Sequence, residues 1–368
     1  MHILAYHLLL QQALIGILIA MHIQKNVALA PYTSFQVGGE AEYFAEVHSS
    51  EELVMLLQSN THHPIWLLGY GSNTLISDNG LPGLTVCIRG GNITVNEDTI
   101  TAGAGVWWDD IVKCSIENNL WGVELMSEIP GSFGAALFIN ITAYGQSVGP
   151  LVNWIDIWNE KEAKVERLER KDLLWGYKSS VFQTKFKDAV ILQAKLHLSP
   201  TITDELSYQK AVDVAEELNL DVHSLEDRRK IIIEARNRAG SLWHPDAARQ
   251  SHTVGSFFKN PIVSAEIADK IISYDESGKT KEQIMKMNQV HGGDSMRVSA
   301  AHVMLAAGFK RNQQWDNVKL NEKNLLKIEA LPGATASDVY RIVVLIQETC
   351  RDKLGVELVP EARLLGSF

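Results

Sequence analysis

The chain has 368 residues, 46% of them hydrophobic and 21% charged. That is too long for one ordinary core and too apolar for a disordered protein. A net charge of −10 argues against a general nucleic-acid binder, which would carry a basic surface; an anionic small molecule would need a local cluster of Lys, Arg and backbone N–H groups.

Residues 1–20 read MHILAYHLLLQQALIGILIA. They are apolar but lack the basic start and small-residue cleavage site of a secretory signal, and Gln11, Gln12 and two histidines interrupt the run that a membrane span would need. We expect a non-native or mis-assigned start, or a loosely attached helix outside the fold, and no stable membrane association. Between residues 31 and 200 short apolar runs alternate with glycine-rich turns. The runs at 64–68 (PIWLL), 84–88 (LTVCI), 154–158 (WIDIW) and 190–198 (VILQAKLHL) read as strands, and 50–58, 107–118 and 171–176 read as helices. Beyond residue 203 helices dominate. Residues 224–239 and 264–274 each begin on a capping serine, and 337–354 sets Val339, Ile342, Val343, Ile346 and Cys350 on one face. Residues 356–359 read as a closing strand. The change of pattern places a domain boundary near residue 205.

Three glycine-rich segments carry the chemistry. Gly69, Tyr70, Gly71, Ser72 and Asn73 follow the run PIWLL, where a glycine turn lets backbone N–H groups face an anion closely. The segment is neither a Rossmann fingerprint, since Thr74 stands at the third glycine position, nor a P-loop, since no Gly-Lys-Ser/Thr follows. Gly103 and Gly105 frame the second segment. The third holds Ile129, Pro130, Gly131 and Gly134, and is followed by Asn140, Ala143, Tyr144 and Gly145. Three such turns in one domain suggest a large phosphorylated cofactor lying across them. Cys87, Cys114 and Cys350 are far apart and form no C-x-x-C pair, so neither a metal site nor a disulfide framework is expected, and a reducing cytoplasm is the natural compartment.

In this order the segments resemble the flavin half of UDP-N-acetylenolpyruvoylglucosamine reductases. The matching residues are Thr33-Ser34-Phe35, Gly38-Gly39, GYGSNTLISD, AGAG, EIPGSFGAA and NITAYG, and then GSFFKNP at 255–261 and GVELVPE at 355–361. The resemblance runs from about Lys25 to Gly366. It implies an α+β protein: an FAD-binding domain of the vanillyl-alcohol-oxidase (PCMH) type over residues 21–205, then a reductase-specific α+β substrate domain over residues 206–368. It implies FAD and NADPH as cofactors and a UDP-sugar as substrate, with no nucleic acid and no metal. Ser256 would be the proton donor, Glu361 the acid and Lys178 the cation of the catalytic set. Tyr177, Lys259 and Asn260 would contact substrate.

The sequence also departs from the family. Lys178 stands where the family usually has Arg, which loses the planar two-pronged fork that grips a carboxylate. Residues 236–243 contain no lysine where the family carries one, Thr142 replaces a glycine, and His302 replaces a tryptophan. Two alternatives follow: a catalytically impaired flavin- or nucleotide-sugar-binding relative, or another FAD-dependent oxidoreductase of the same fold.

Overall fold

The computed structural model describes residues 23–245, 252–273, 282 and 296–368. The expected N-terminal extension and Tyr274 lie outside them.

Strands β1 (Gln24–Ala28) and β2 (Glu40–Val47) open the chain, and helix α1 (Ser50–Ser59) crosses over to β3 (Ile65–Leu68). Ser49 caps α1 by accepting from the Glu52 N–H. Next come β4 (Thr74–Ile76), β5 (Leu81–Ile88), β6 (Ile93–Asn96), β7 (Thr99–Gly103), α2 (Trp108–Glu117) and α3 (Phe133–Ile139). The first sheet runs β1-β2-β5-β3, with β2, β5 and β3 parallel. Its central strand β5 is apolar on both faces: Leu84 and Val86 join Leu53, Leu56 and Leu57 of α1 in one core, and Leu81 and Cys87 join a second.

The second sheet is antiparallel and adds β8 (Val152–Asn159), β9 (Lys164–Glu169) and, after the two-residue strands β10 (Trp175–Gly176) and β11 (Ser179–Ser180), β12 (Ala189–His197). It covers a core shared with α2 and α3, including Trp108, Phe133, Ile155 and Phe182. A helix was expected over 171–176. The chain instead makes one 3-10 turn, Arg170–Asp172, closed by a reciprocal Glu169–Asp172 capping box, and then enters the β10–β11 hairpin. Gly176 and the six-residue span leave too little for a stable helix.

Helices α4 (Gln209–Leu218) and α5 (Leu225–Arg238) come next, and Ser224 caps α5 as expected, accepting from the Asp227 N–H. Both pack back on the flavin half through Leu125 and Tyr144. Arg228 and Glu124, each almost fully buried, pair at 2.8 Å, and Glu124 also accepts from Gln146 and the Gly122 N–H.

The remaining elements are β13 (Ile262–Val263), α6 (Ala265–Ser273), β14 (Met296–Arg297), α7 (Ala300–Ala306), β15 (Gln314–Trp315), β16 (Val318–Leu320), β17 (Ile328–Ala330), α8 (Ala336–Leu354) and β18 (Arg363–Leu365). The five apolar residues expected on one face of α8 are all buried in one core. Thr335 caps that helix, and Asp78 of the flavin half accepts from the Ala336 and Ser337 N–H groups at 2.9 and 2.8 Å. The closing strand is displaced from its expected place. Val356 and Leu358 are buried and Glu357 and Val359 exposed, so the alternation is real. Pro360 has no N–H to continue a ladder, and pairing there is a single Phe258–Pro360 bridge. The regular strand is β18, parallel to β4.

Arg228→Met would leave the Glu124 carboxylate buried without its ion partner. The expected loss is about 3–5 kcal/mol, read as a lowered midpoint in denaturant unfolding, and Glu124→Gln in the same chain should recover part of it.

Candidate active site

The glycine turn after β3 opens onto a cavity of about 1330 Å³ that reaches both halves of the chain. That exceeds the roughly 300–1,000 Å³ of an ordinary small-molecule pocket and suits an extended cofactor with a second ligand. Gly69, Tyr70, Gly71, Ser72 and Asn73 line it, as do Ile129, Pro130, Gly131, Gly134, Ala143 and Tyr144. Gly71 has φ +61°, and a Cβ there would sit 2.1 Å from the Tyr32 carbonyl oxygen, so the turn admits no side chain. The Arg89 guanidinium lies 4.2 Å from the Tyr70 ring centre and donates to the Gly69 carbonyl, fixing the turn from behind. Ser72 Oγ donates to the Pro130 carbonyl at 2.8 Å and ties the first glycine turn to the third.

Four of the expected cofactor residues stand outside the cavity wall. Gly105 packs so closely on the 89–90 backbone that a Cβ would lie 2.7 Å from the Arg89 carbonyl carbon, and Gly103 faces Gly91; only Ala104 between them lines the cavity. The Gly134 N–H donates to the Ala104 carbonyl, so this second turn supports the third. Gly145 forms a hairpin tip with Tyr144. Asn140 caps α3 in the left-handed conformation; its amide donates to the Gly176 carbonyl and accepts from Ser147 Oγ and the Gly149 N–H. Asn140 therefore holds the β10–β11 hairpin.

That hairpin carries Tyr177 and Lys178, the latter at φ +50°. A left-handed non-glycine residue costs on the order of 1–2 kcal/mol and persists only where its surroundings enforce it. Lys259 Nζ donates to the Lys178 carbonyl at 3.2 Å, and Gln183 reaches the same oxygen. Lys259 itself faces a smaller cavity of about 260 Å³ behind Glu361. Lys178 Nζ meets Glu361 Oε1 at 2.9 Å, with both side chains mostly buried.

Glu361 is placed by backbone. Its N–H donates to the Phe257 carbonyl at 2.7 Å, and Asn73 Nδ2 donates to its carbonyl at 3.2 Å. Ser256, beside Phe257, makes a bridge with Lys327 and lines the cavity. Asn260 Nδ2 donates to the Tyr177 hydroxyl at 3.2 Å, and its Oδ1 accepts from the Ala300 N–H. Burial first, and the Glu361 charge second, push the Tyr177 phenol up, so it stays a neutral hydrogen-bonding group. The structure thus brings Ser256, Glu361, Lys178, Tyr177 and Asn260 to one wall. It adds Arg236, Ser241, Trp243 and Lys327, which the sequence reading did not assign. Lys327 lies in a stretch, 327–330, that is buried throughout, so no alternation in the sequence marks it as inward.

Among the described residues no group of His, Cys, Asp and Glu is arranged to hold a metal, and no helix is long and apolar enough to cross a membrane. The fit to a flavin dinucleotide rests on the Gly71 turn and the size of the cavity. Residues 41–158 match the family model described as FAD binding domain, so the chain is an FAD-dependent oxidoreductase. Residues 246–365 match a second model, UDP-N-acetylenolpyruvoylglucosamine reductase, C-terminal domain. The UDP-N-acetylenolpyruvoylglucosamine reductases of Mycobacterium sp. (strain MCS) and Photobacterium profundum are 28% and 29% identical to this chain, each over 94% of it and over 96% and 97% of their own lengths. The crystal structure of UDP-N-acetylenolpyruvylglucosamine reductase from Thermus caldophilus shares the fold, with a TM-score of 0.63 at 19% identity, over 94% of this chain and all of that one. By these matches the chain is similar to the UDP-N-acetylenolpyruvoylglucosamine reductases along most of its length.

Cys87 is fully buried, its Sγ is directed at the Gly69 carbonyl, and burial pushes its thiol up to about 12. A protonated, enclosed thiol is no attachment point for a flavin. Acid or heat should therefore release intact FAD into the supernatant; flavin that stays on the precipitated protein would show covalent attachment.

Proposed function

We infer that this chain reduces UDP-N-acetylglucosamine enolpyruvate to UDP-N-acetylmuramate with NADPH through FAD, a step in making peptidoglycan precursors. The observation that supports it most is the meeting of GSFFKNP and the Pro360-Glu361 tail at the glycine turn after β3, which sets Glu361 on Lys178 beside Ser256. FAD bound there supplies the hydride relay from NADPH to the substrate's double bond.

The protein's own residues handle charge and proton. Hydride addition to the methylene carbon leaves negative charge on the neighbouring carbon and its carboxylate. Lys178 flanks that position and stabilises the developing charge in a partly dehydrated wall, where fixed charges act strongly, while Glu361, paired with its ammonium at 2.9 Å, holds it in place. The Ser256 hydroxyl then donates the proton to carbon. Tyr177 and Asn260, locked to each other and to the start of α7, orient the substrate. Gly69 to Asn73 and Ile129 to Gly134 hold the flavin dinucleotide, with Ala143 and Tyr144 at their margin and Gly103, Gly105, Asn140 and Gly145 supporting them from behind; Lys259 supports the Lys178 backbone. We assign residues 21–205 to flavin binding and 206–368 to substrate binding, with α4 and α5 the part of the second unit fastened to the first. A cytoplasmic location suits three free cysteines and a soluble nucleotide substrate.

Ser256→Ala should leave flavin reduction by NADPH near the parent rate and slow reoxidation by the enolpyruvyl substrate by about 10²–10⁴-fold. Stopped-flow absorbance separates the two half-reactions, and an equal fall in both would make Ser256 structural. Lys178→Arg should keep or raise the rate of the second half-reaction, because a guanidinium binds a carboxylate through two parallel hydrogen bonds. Lys178→Ala should lower it sharply; a parent-like rate would remove Lys178 from the chemistry. Absence of any turnover from flavin-loaded protein would favour the impaired-relative alternative.

A further inference from the structure

One stretch of the cavity wall, where the end of α5 meets the segment before β17, has no role in the scheme above. Lys327 is 2% exposed there. Its ammonium donates to the Ala239 carbonyl at 2.9 Å, the Gly240 carbonyl at 2.7 Å and Ser241 Oγ at 2.7 Å. Ala239 is the C-cap of α5, so all three donors are spent on fixing the turn that ends the helix, where a cation also suits the helix dipole. Three residues before Ala239 stands Arg236, 9% exposed. One guanidinium nitrogen donates to the Ser241 carbonyl at 2.7 Å, the Tyr144 hydroxyl faces the group, and Nε is buried with no hydrogen-bond partner.

Neither cation has a salt bridge among the described residues. Glu329, the carboxylate two residues on from Lys327, is taken by Asn321 at 2.7 Å and Lys319 at 3.2 Å. Two buried positive charges on one cavity wall, one with an unused N–H, are costly unless an anion joins them. A C-cap alone explains Lys327 but not Arg236, which feels the Glu128 and Asp109 carboxylates and the Tyr144 hydroxyl yet forms no salt bridge among the described residues and keeps a buried Nε without a hydrogen-bond partner.

We propose that Lys327 is a positioning residue for nucleotide binding: it pins the turn 239–241, holds Arg236 against the cavity, and with it forms a subsite for the diphosphate of a bound nucleotide. This rests on the reading that the cavity holds nucleotides. Flavin dinucleotide, dinucleotide reductant and UDP-sugar share that diphosphate. Burial first, then the Arg236 charge, pulls the Lys327 ammonium down to about 8, with Glu329 opposing and Lys323 assisting. Arg236 and Tyr144 face this corner from α5 and the 144–145 turn, and Lys323 and Glu329 from its own segment. The subsite is therefore fully charged only well below pH 8 and loses charge as pH rises through that value, so diphosphate affinity falls.

The test uses the flavin-loaded protein and two variants, Lys327→Met and Lys327→Arg. Calorimetry gives affinities for UDP, uridine and NADP⁺ at pH 7.5 and 9.5, and fluorescence gives FAD retention on dilution. Lys327→Met should weaken at least one of FAD, UDP or NADP⁺ tenfold or more while uridine binding stays within twofold; the diphosphate that weakens identifies the occupant. In the parent that same affinity should fall several-fold between pH 7.5 and 9.5, and in Lys327→Arg it should be flat. If Lys327→Met fails to fold, the parent and Lys327→Arg pH profiles carry the test. Unchanged affinity for all three ligands in a folded Lys327→Met, or an equal pH slope in Lys327→Arg, overturns the proposal. A diphosphate effect in a protein that never reduces the enolpyruvyl substrate would sink the reductase reading and leave the subsite standing.

Discussion

The parallel pairing of β18 with β4 is the contact on which the site depends. Arg363, Leu364 and Leu365 lie against Thr74, Leu75 and Ile76, directly after the glycine turn of the flavin half. The Arg363 N–H reaches the Asn73 carbonyl, and Asn73 Nδ2 reaches the Glu361 carbonyl. Hydrogen bonds that hold backbone atoms in this way fix position to a fraction of an ångström, as the role proposed for Glu361 requires. Asp78, at the end of the same glycine-turn segment, caps α8. One stretch of about ten residues therefore shapes the flavin turn and anchors both the long helix and the tail of the second half.

Electrostatics hold the other side of the joint. Arg229 of α5 makes a two-pronged contact with buried Asp109 at 2.7 Å and reaches Glu128 at 2.9 Å. Asp109 also accepts from the Glu128 N–H, and Glu128 sits at φ +57° immediately before Ile129 and Pro130. The third glycine turn is thus entered through a residue in an unfavourable backbone conformation, held by charge-assisted hydrogen bonds. Helix α5 fixes that turn at one end and carries Arg236 and the 239–241 turn to the cavity at the other. Its mixed sequence, apolar on one face and rich in Arg and Glu elsewhere, suits a helix that must both pack and pair.

Much of this was legible in the sequence because it is local. The caps at Ser224 and Ser264 and the inward face of α8 follow from the residues in each segment, and the strands from their apolar runs. The family resemblance placed Ser256, Glu361 and Lys178 together, which local pattern alone cannot do for residues scattered along the chain. What was misread had non-local causes. Residues 171–176 have helical composition, but Asn140, thirty-six positions before Gly176, holds a hairpin there. Gly103 and Gly105 look like a cofactor cradle, yet their missing side chains make room for the 89–91 backbone. Lys327 reads as a surface lysine until the end of α5 is laid across it.

The Asn73–Glu361 bond joins residues 288 positions apart, and that separation bears on how the protein comes into being. Contacts so distant in sequence form late, since the intervening chain must first condense. Synthesis from the N-terminus yields the first glycine turn early and Glu361 288 residues after Asn73. A nascent or partly folded chain would therefore hold the glycine turns but lack the Glu361–Lys178 pair. On the role proposed for Glu361, chemistry therefore waits until β18 has paired with β4.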